Sequence, residues 1–264
     1  NSISQKDYKS DSFAYEINLE AAKIAKEATK SFKDKPRFVA GAIGPTNKTA
    51  SMSPKVNNPE FRNINFDELV DSYHEQAMGL FDGGVDCFLI ETIFDTINCK
   101  AAIYAIQTIQ EDLQTNIPLM ISGTITDASG RTLSGQTVEA FWYSIRHGNP
   151  IAIGLNCALG AKQIRPWLIE LSSLADIPVF VYPNAGLPNE FGEYDQTPPE
   201  MSKIIQDFAI DGLLNIVGGC CGTTPEHINS IVNSIEGIPP RQIIQNKSLT
   251  MLSGLEPLII RPES

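Results

Sequence analysis

The chain has 264 residues, 42% of them hydrophobic, with 31 acidic against 20 basic side chains and a formal net charge of −11. That length and apolar content suit one barrel-sized domain with a large core, not a disordered segment. The acidic balance argues against a nucleic-acid partner, which needs basic patches, and no apolar run reaches the roughly 18–20 residues of a membrane span.

An amphipathic pattern over 11–32 predicts a helix, followed by the apolar run "RFVAGAI" (37–43). A second helical pattern, 66–83, opens with Asn65 as cap and Glu68 at the third position. The run "DCFLIE" (86–91) then leads to a helix over 95–114, and "PLMISG" (118–123) to one over 135–147. "IAIGLN" (151–156) precedes a helix over 161–175, and "PVFVYP" (178–183) one over 198–211. There Thr197 caps, with Pro198 first and Glu200 third. "LLNIVG" (213–218) precedes a helix over 225–235, for which Thr223 and Thr224 are equally good caps. Most runs are nearly continuous in apolar residues, which predicts parallel strands buried on both faces.

Strand–helix alternation of this kind means an α/β architecture with a parallel sheet. About six strands and seven helices fit a TIM (β/α)8 barrel lacking its first two strands. A doubly wound open sheet is the alternative, but its nucleotide-binding versions are disfavoured: neither GxGxxG after an early strand nor GxxxxGK[ST] appears. The chain begins with Asn1 and ends in "PLIIRPES", so we expect a piece of a longer polypeptide.

In a barrel, function gathers at the C-terminal ends of the strands. Here those ends are rich in Asn, Thr, Glu, Cys and Gly. Cys157 ends one strand, and Cys220 with Cys221 ends another in "NIVGGCCGTTPEHI". Three thiolates suit zinc, and leaving a fourth position open is a catalytic pattern. Glycines 218, 219 and 222 favour two adjacent sulfurs facing one ion. The spacing also admits a small core cysteine beside an incidental pair. Glu91 ends an apolar strand as a helix-cap partner, a ligand for an amino group or a salt bridge across the barrel mouth. Asn156 and Asn184 read as turn formers or substrate hydrogen-bonders. Cys87, Cys99, His74 and His227 read as packing or surface residues, and His147 as a helix-end cation. Five irregularly spaced cysteines suit a reducing, cytoplasmic setting.

"GLNCALG" and "GGCCGTTPEHI" resemble the signature of the homocysteine S-methyltransferase family. "GPTNKTASMSP", "IETIFDT", "SGTITDASGRTLSGQT" and "PNAGLPNEFGEYD" are similar to the homocysteine-binding module of cobalamin-dependent methionine synthases, over about Phe13 to Pro240. The resemblance implies a TIM barrel with Zn2+ held by Cys157, Cys220 and Cys221, and Glu91 near the homocysteine amino group. It makes Ser122 and Asn184 candidates for substrate contacts. It implies methyl transfer from methylcobalamin, carried on another module, to give methionine. Folate- and cobalamin-binding modules of one parent polypeptide would be the partners. On that basis residues 1–240 are a partial homocysteine-binding barrel and 241–264 a linker toward a folate-binding module. The family's opening strand, of Asp-Gly-Gly-Met-Gly type, and its second strand have no counterpart. A transferase using betaine or S-methylmethionine and a non-catalytic zinc-binding piece are the alternatives. A zinc hydrolase is disfavoured, since no HExxH or His-rich cluster occurs.

Overall fold

A computed structural model describes residues 1–126, 128–245 and 249–261. Six strands form a parallel α/β sheet whose order follows the sequence, β1 to β6, without closing into a barrel among the described residues. This is the architecture expected of a barrel short of strands. The chain divides into two compact units, 1–121 with 148–150, and 122–147 with 151–264.

The first unit opens with a short α1 (Ser2–Gln5) and two 3-10 turns. It continues through α2 (Ala14–Thr29), β1 (Ala40–Ile43), α3 (Phe66–Asp82), β2 (Cys87–Ile93) and α4 (Thr96–Asp112) to the start of β3 (Leu119–Gly123). Strands β1 and β2 pair in parallel from Ala40↔Cys87 to Ile43↔Ile90. Burial on both faces does not hold here. Gly41, Ile43, Phe88 and Ile90 are buried, whereas Ala40 and Ala42 are exposed and Cys87, Leu89 and Glu91 half-buried. Alternate residues of a strand face opposite ways, and β1, an edge strand with one partner, is covered on one face only. The predicted cap of α3 is a full capping box: Glu68 N donates to Asn65 Oδ1 at 2.9 Å, and Asn65 N to Glu68 Oε2 at 2.9 Å.

The second unit holds α5 (Val138–Ile145), β4 (Ala152–Gly160), α6 (Ala161–Leu174), β5 (Val179–Asn184), α7 (Pro198–Ile210), β6 (Ile216–Val217) and α8 (Pro225–Ile235). Ile153, Leu155, Val179 and Val181 are fully buried on one face, and Ala152, Asn156 and Phe180 are buried on the other, as expected of central parallel strands. β6 is shorter than its apolar run, because Leu213 N donates to Phe208 O at 3.0 Å and so finishes α7. Thr224, not Thr223, caps α8. Its amide donates to His227 Nδ1 at 3.1 Å, and His227 Nε2 lies 2.8 Å from the Gln196 carbonyl. His227 is therefore a buried strut in its Nε2–H tautomer.

The stretch expected as linker begins with an anchor. Arg241, 5% exposed, donates to the carbonyls of Ser172 at 2.7 Å and Ile177 at 3.1 Å, and to that of Ala175. It then forms an antiparallel hairpin, β7 (Thr250–Ser253) and β8 (Pro257–Ile260), against α5. Residues 246–248 and 262–264 lie outside the described residues.

Candidate functional site

Cys157 sits where β4 leaves regular pairing, its register with β5 shifting between Asn156 and Gly160. Cys157 (φ 60°) and Ala158 (φ 53°) are both left-handed. That conformation costs a side-chain-bearing residue about 1–3 kcal/mol and concentrates at functional sites. Two such residues in succession break the in–out alternation of the strand.

Cys220 and Cys221 occupy the turn after β6, which is tied to the end of β5. Cys220 N donates to Pro183 O at 2.9 Å, and Ala185 N to Cys221 O at 2.9 Å. Asn184 Oδ1 accepts from Cys221 N at 3.2 Å. Thr223 Oγ1 closes the turn on Cys220 O at 2.7 Å. Of the neighbouring glycines, Gly222 has φ +76° and Tyr194 where a Cβ would be, and Gly219 has the Thr223 side chain 2.3 Å from that point. Gly218 meets nothing closer than 3.4 Å. The turn therefore needs glycine at 219 and 222, not at all three positions.

These elements bring the three sulfurs together, all within 4.8 Å of one another. Cys157 Sγ lies 3.7 Å from Cys221 Sγ, which lies 3.9 Å from Cys220 Sγ. A disulfide would need about 2.05 Å, and all five cysteines are free thiols. Tetrahedral zinc with Zn–S bonds of about 2.3 Å requires S···S separations of about 3.8 Å. The cluster thus fits a metal ion in both donor chemistry and spacing. A hydrogen bond from Cys220 lowers the Cys157 thiol to about 5 against the opposing effect of burial. The Ala158 amide, Cys221 and Asn184 add to the lowering. Cys220 is correspondingly pushed up, by the same bond first and by burial second. One thiolate is thus favoured even without a cation.

Ser122 and Asn184 are both buried beside this cluster. Ser122 Oγ lies 2.5 Å from Asn156 Oδ1, Thr124 Oγ1 donates to Asn156 O at 3.0 Å, and Asn156 Nδ2 approaches Cys220 Sγ at 3.8 Å. Asn156, expected as a turn former or substrate hydrogen-bonder, therefore braces both cysteine-bearing turns. Tyr194 was passed over in sequence. Its hydroxyl pKa is raised, by burial first and then by a hydrogen bond to Cys221. Glu91 lies in the first unit, half-buried near the end of β2 and followed by the left-handed Thr92 (φ 59°). In that unit sequence reasoning also missed Asp95 and Asn98, both 2% exposed. Asp95 accepts from the Ser51 amide at 3.1 Å and caps α4 through the Ile97 amide at 2.9 Å. Asn98 accepts from Ala50 N at 3.0 Å and donates to Lys48 O at 2.9 Å. Together they staple the loop after β1. Cys99 is buried, as expected of a packing residue.

The chain matches the homocysteine S-methyltransferase family over residues 1–235. It belongs to that family. Methyl transfer to homocysteine is accordingly its class of reaction. The fold is similar to that of the homocysteine methyltransferase MmuM from Escherichia coli. Its oxidized form superposes with a TM-score of 0.66 at 17% identity, covering 88% of this chain and 75% of that one. Its apo form gives 0.63 at 18% identity over 84% and 75%, and its metallated form 0.63 at 18% over 83% and 70%. Among the described residues no helix is long and apolar enough to cross a membrane.

Proposed function

We propose that this homocysteine S-methyltransferase chain activates the homocysteine thiol at a zinc ion held by Cys157, Cys220 and Cys221, for methyl transfer from methylcobalamin. The observation that carries the reading is the triangle of sulfurs, 3.7 and 3.9 Å along two edges. Zinc bound there would lower the pKa of a coordinated thiol and so supply a thiolate at neutral pH. That MmuM, a protein of similar fold, has a metallated form supports a metal-binding reading.

The chain's own residues prepare and orient. Asn156 and Asn184 hold the two turns at fixed separation, so the sulfurs converge before any ligand arrives. Ser122 and Asn184, buried polar groups beside the cysteine turns, are assigned to substrate contacts. The carboxylate of Glu91 is assigned to the homocysteine ammonium, an assignment that rests on the family motif "IETIFDT". The substrate sulfur takes the methyl group as its S–C bond forms, and the donor keeps the bonding pair. The longer motifs beyond the cysteines, among them "GPTNKTASMSP" and "PNAGLPNEFGEYD", favour methylcobalamin on another module over betaine or S-methylmethionine. On the same basis residues 1–240 are the partial homocysteine-binding barrel. Residues 241–264, hairpin included, lead toward a folate-binding module. Free cysteines throughout suit the cytoplasm.

Metal analysis tests this directly. We expect about one zinc per chain in the wild type and near none in Cys157→Ala, Cys220→Ala or Cys221→Ala. Unchanged zinc in any variant removes that cysteine from the site. On the wild type, proton release on adding homocysteine reads thiol activation. Turnover with methylcobalamin against betaine or S-methylmethionine then decides the donor.

A further inference from the structure

The hairpin of β7 and β8 lies beyond residue 235, where the family match ends, yet its turn reaches back to the loop entering α5. Leu255 O accepts from Thr137 N at 3.1 Å. Thr137 is the N-cap of α5, its Oγ1 accepting from Ala140 N at 3.2 Å. In a capping box the N-cap amide donates to a Glu or Gln at the third helical position. Here that position is Ala140, and the Leu255 carbonyl takes the missing acceptor's place. Glu256 pairs with Arg131, whose Nη1 donates to Gly135 O at 2.8 Å. Ser253 Oγ donates to Ala140 O at 2.6 Å. Leu255 Cδ2 comes within 3.2 Å of where a Cβ on Gly135 would be.

The loop so gripped leads to the cysteines. Arg131 O accepts from Thr126 N at 3.1 Å. Two residues earlier, Thr124 Oγ1 donates to Asn156 O, the carbonyl joined to Cys157. Bonded residues therefore run from Glu256 through Arg131 and Thr126 to the left-handed turn that carries one of the three sulfurs.

We infer that the turn of this C-terminal hairpin, Leu255 and Glu256, is a positioning element for the thiol-binding site. It holds the loop after β3, and through Thr124 and Asn156 it sets the Cys157 turn. Neither residue touches the sulfurs, so neither is catalytic. The consequence for homocysteine rests on the function proposed above; the ordering of the loop does not.

The test uses the full chain and two readouts. Glu256→Lys sets two cations against each other, and Ser253→Ala removes a separate clasp. The swap Arg131→Glu with Glu256→Arg restores the pair. Amide hydrogen exchange at Thr126, Thr137 and 157–160 should quicken at least fivefold in Glu256→Lys and return to the parent rate in the swap. In zinc-loaded protein the Kd for homocysteine, by calorimetry, should rise about threefold or more with metal content unchanged, and the swap should recover it. Parent-like exchange at 157–160 in both Glu256→Lys and Ser253→Ala overturns the inference. So does faster exchange with unaltered homocysteine affinity. If the parent retains no zinc, the proposed function fails, and exchange in metal-free protein still decides whether the hairpin sets the turn.

Discussion

Strands β1 and β4 obey the same pairing rules and differ in what covers them. In β4, Ile153, Leu155 and Asn156 are all fully buried, so both faces of the strand are packed. In β1 and β2 one face is packed and the other carries Ala40, Ala42, Leu89 and Glu91 at half or full exposure. Similar apolar runs thus produce a strand closed on both sides in one unit and on one side in the other. The polar ends follow the same division. The unit with both strand faces packed holds its three cysteines at metal-ligand spacing. The half-covered one spends its buried polar groups, Asp95 and Asn98, on stapling a loop.

Truncating matched leucines should break or sharpen that contrast most strongly. Leu155 is fully buried in β4, so Leu155→Ala should cost about 3 kcal/mol through lost burial and a residual cavity. Leu89 in β2 is only half-buried, and Leu89→Ala should cost about 1 kcal/mol, the transfer part alone. Urea denaturation of the two variants checks the ratio. Equal losses would mean that the outer face of β2 is packed in solution, and the contrast would fall.

Arg241 tests whether the second unit extends past the family core. Its guanidinium is the donor for carbonyls at the end of α6 and beyond it, and burial alone lowers its pKa. Arg241→Met keeps the stem's volume and strands those acceptors, so we expect a loss of about 2 kcal/mol. A thermal melt should show it, with Arg241→Lys intermediate because an ammonium cannot reach three carbonyls in a planar fork. A neutral Arg241→Met would mean that water satisfies these carbonyls and that the unit ends before the hairpin.

Much of this was legible from residue patterns. Six strands and seven helices lie where apolar runs and periodicity predict, and the caps at Asn65 and Thr197 follow from side-chain chemistry alone. The cysteine triangle was approachable because glycines 219 and 222 mark a turn of unusual backbone. What escaped reading depends on tertiary placement. Whether a strand has one covered face or two is decided by its neighbours. Asn156 braces two turns 64 residues apart in sequence, a relation no local pattern contains. The hairpin has short, weakly alternating strands whose partner is α5, so its composition resembles a linker.

The smallest effect we expect concerns the polar surface of the second unit and supplies a pH axis. Glu170 on α6 accepts from the Glu139 amide at 3.3 Å. Burial raises its pKa first, and the nearby Glu139 carboxylate adds to the rise against that hydrogen bond. A carboxyl with a raised folded pKa favours its neutral form in the native state. Its contribution is complete below the unfolded value of about 4.3 and is lost as pH climbs through the folded pKa. Glu170→Gln fixes the neutral form and retains an oxygen for the amide. The variant should therefore match the wild type near pH 4 and become the more stable protein as pH approaches 7. Partial exposure keeps the gap smaller than the effects above. Paired melts at the two pH values read it directly. A gap that stays constant with pH would assign the difference to packing, whereas a gap that closes on acidification identifies the proton.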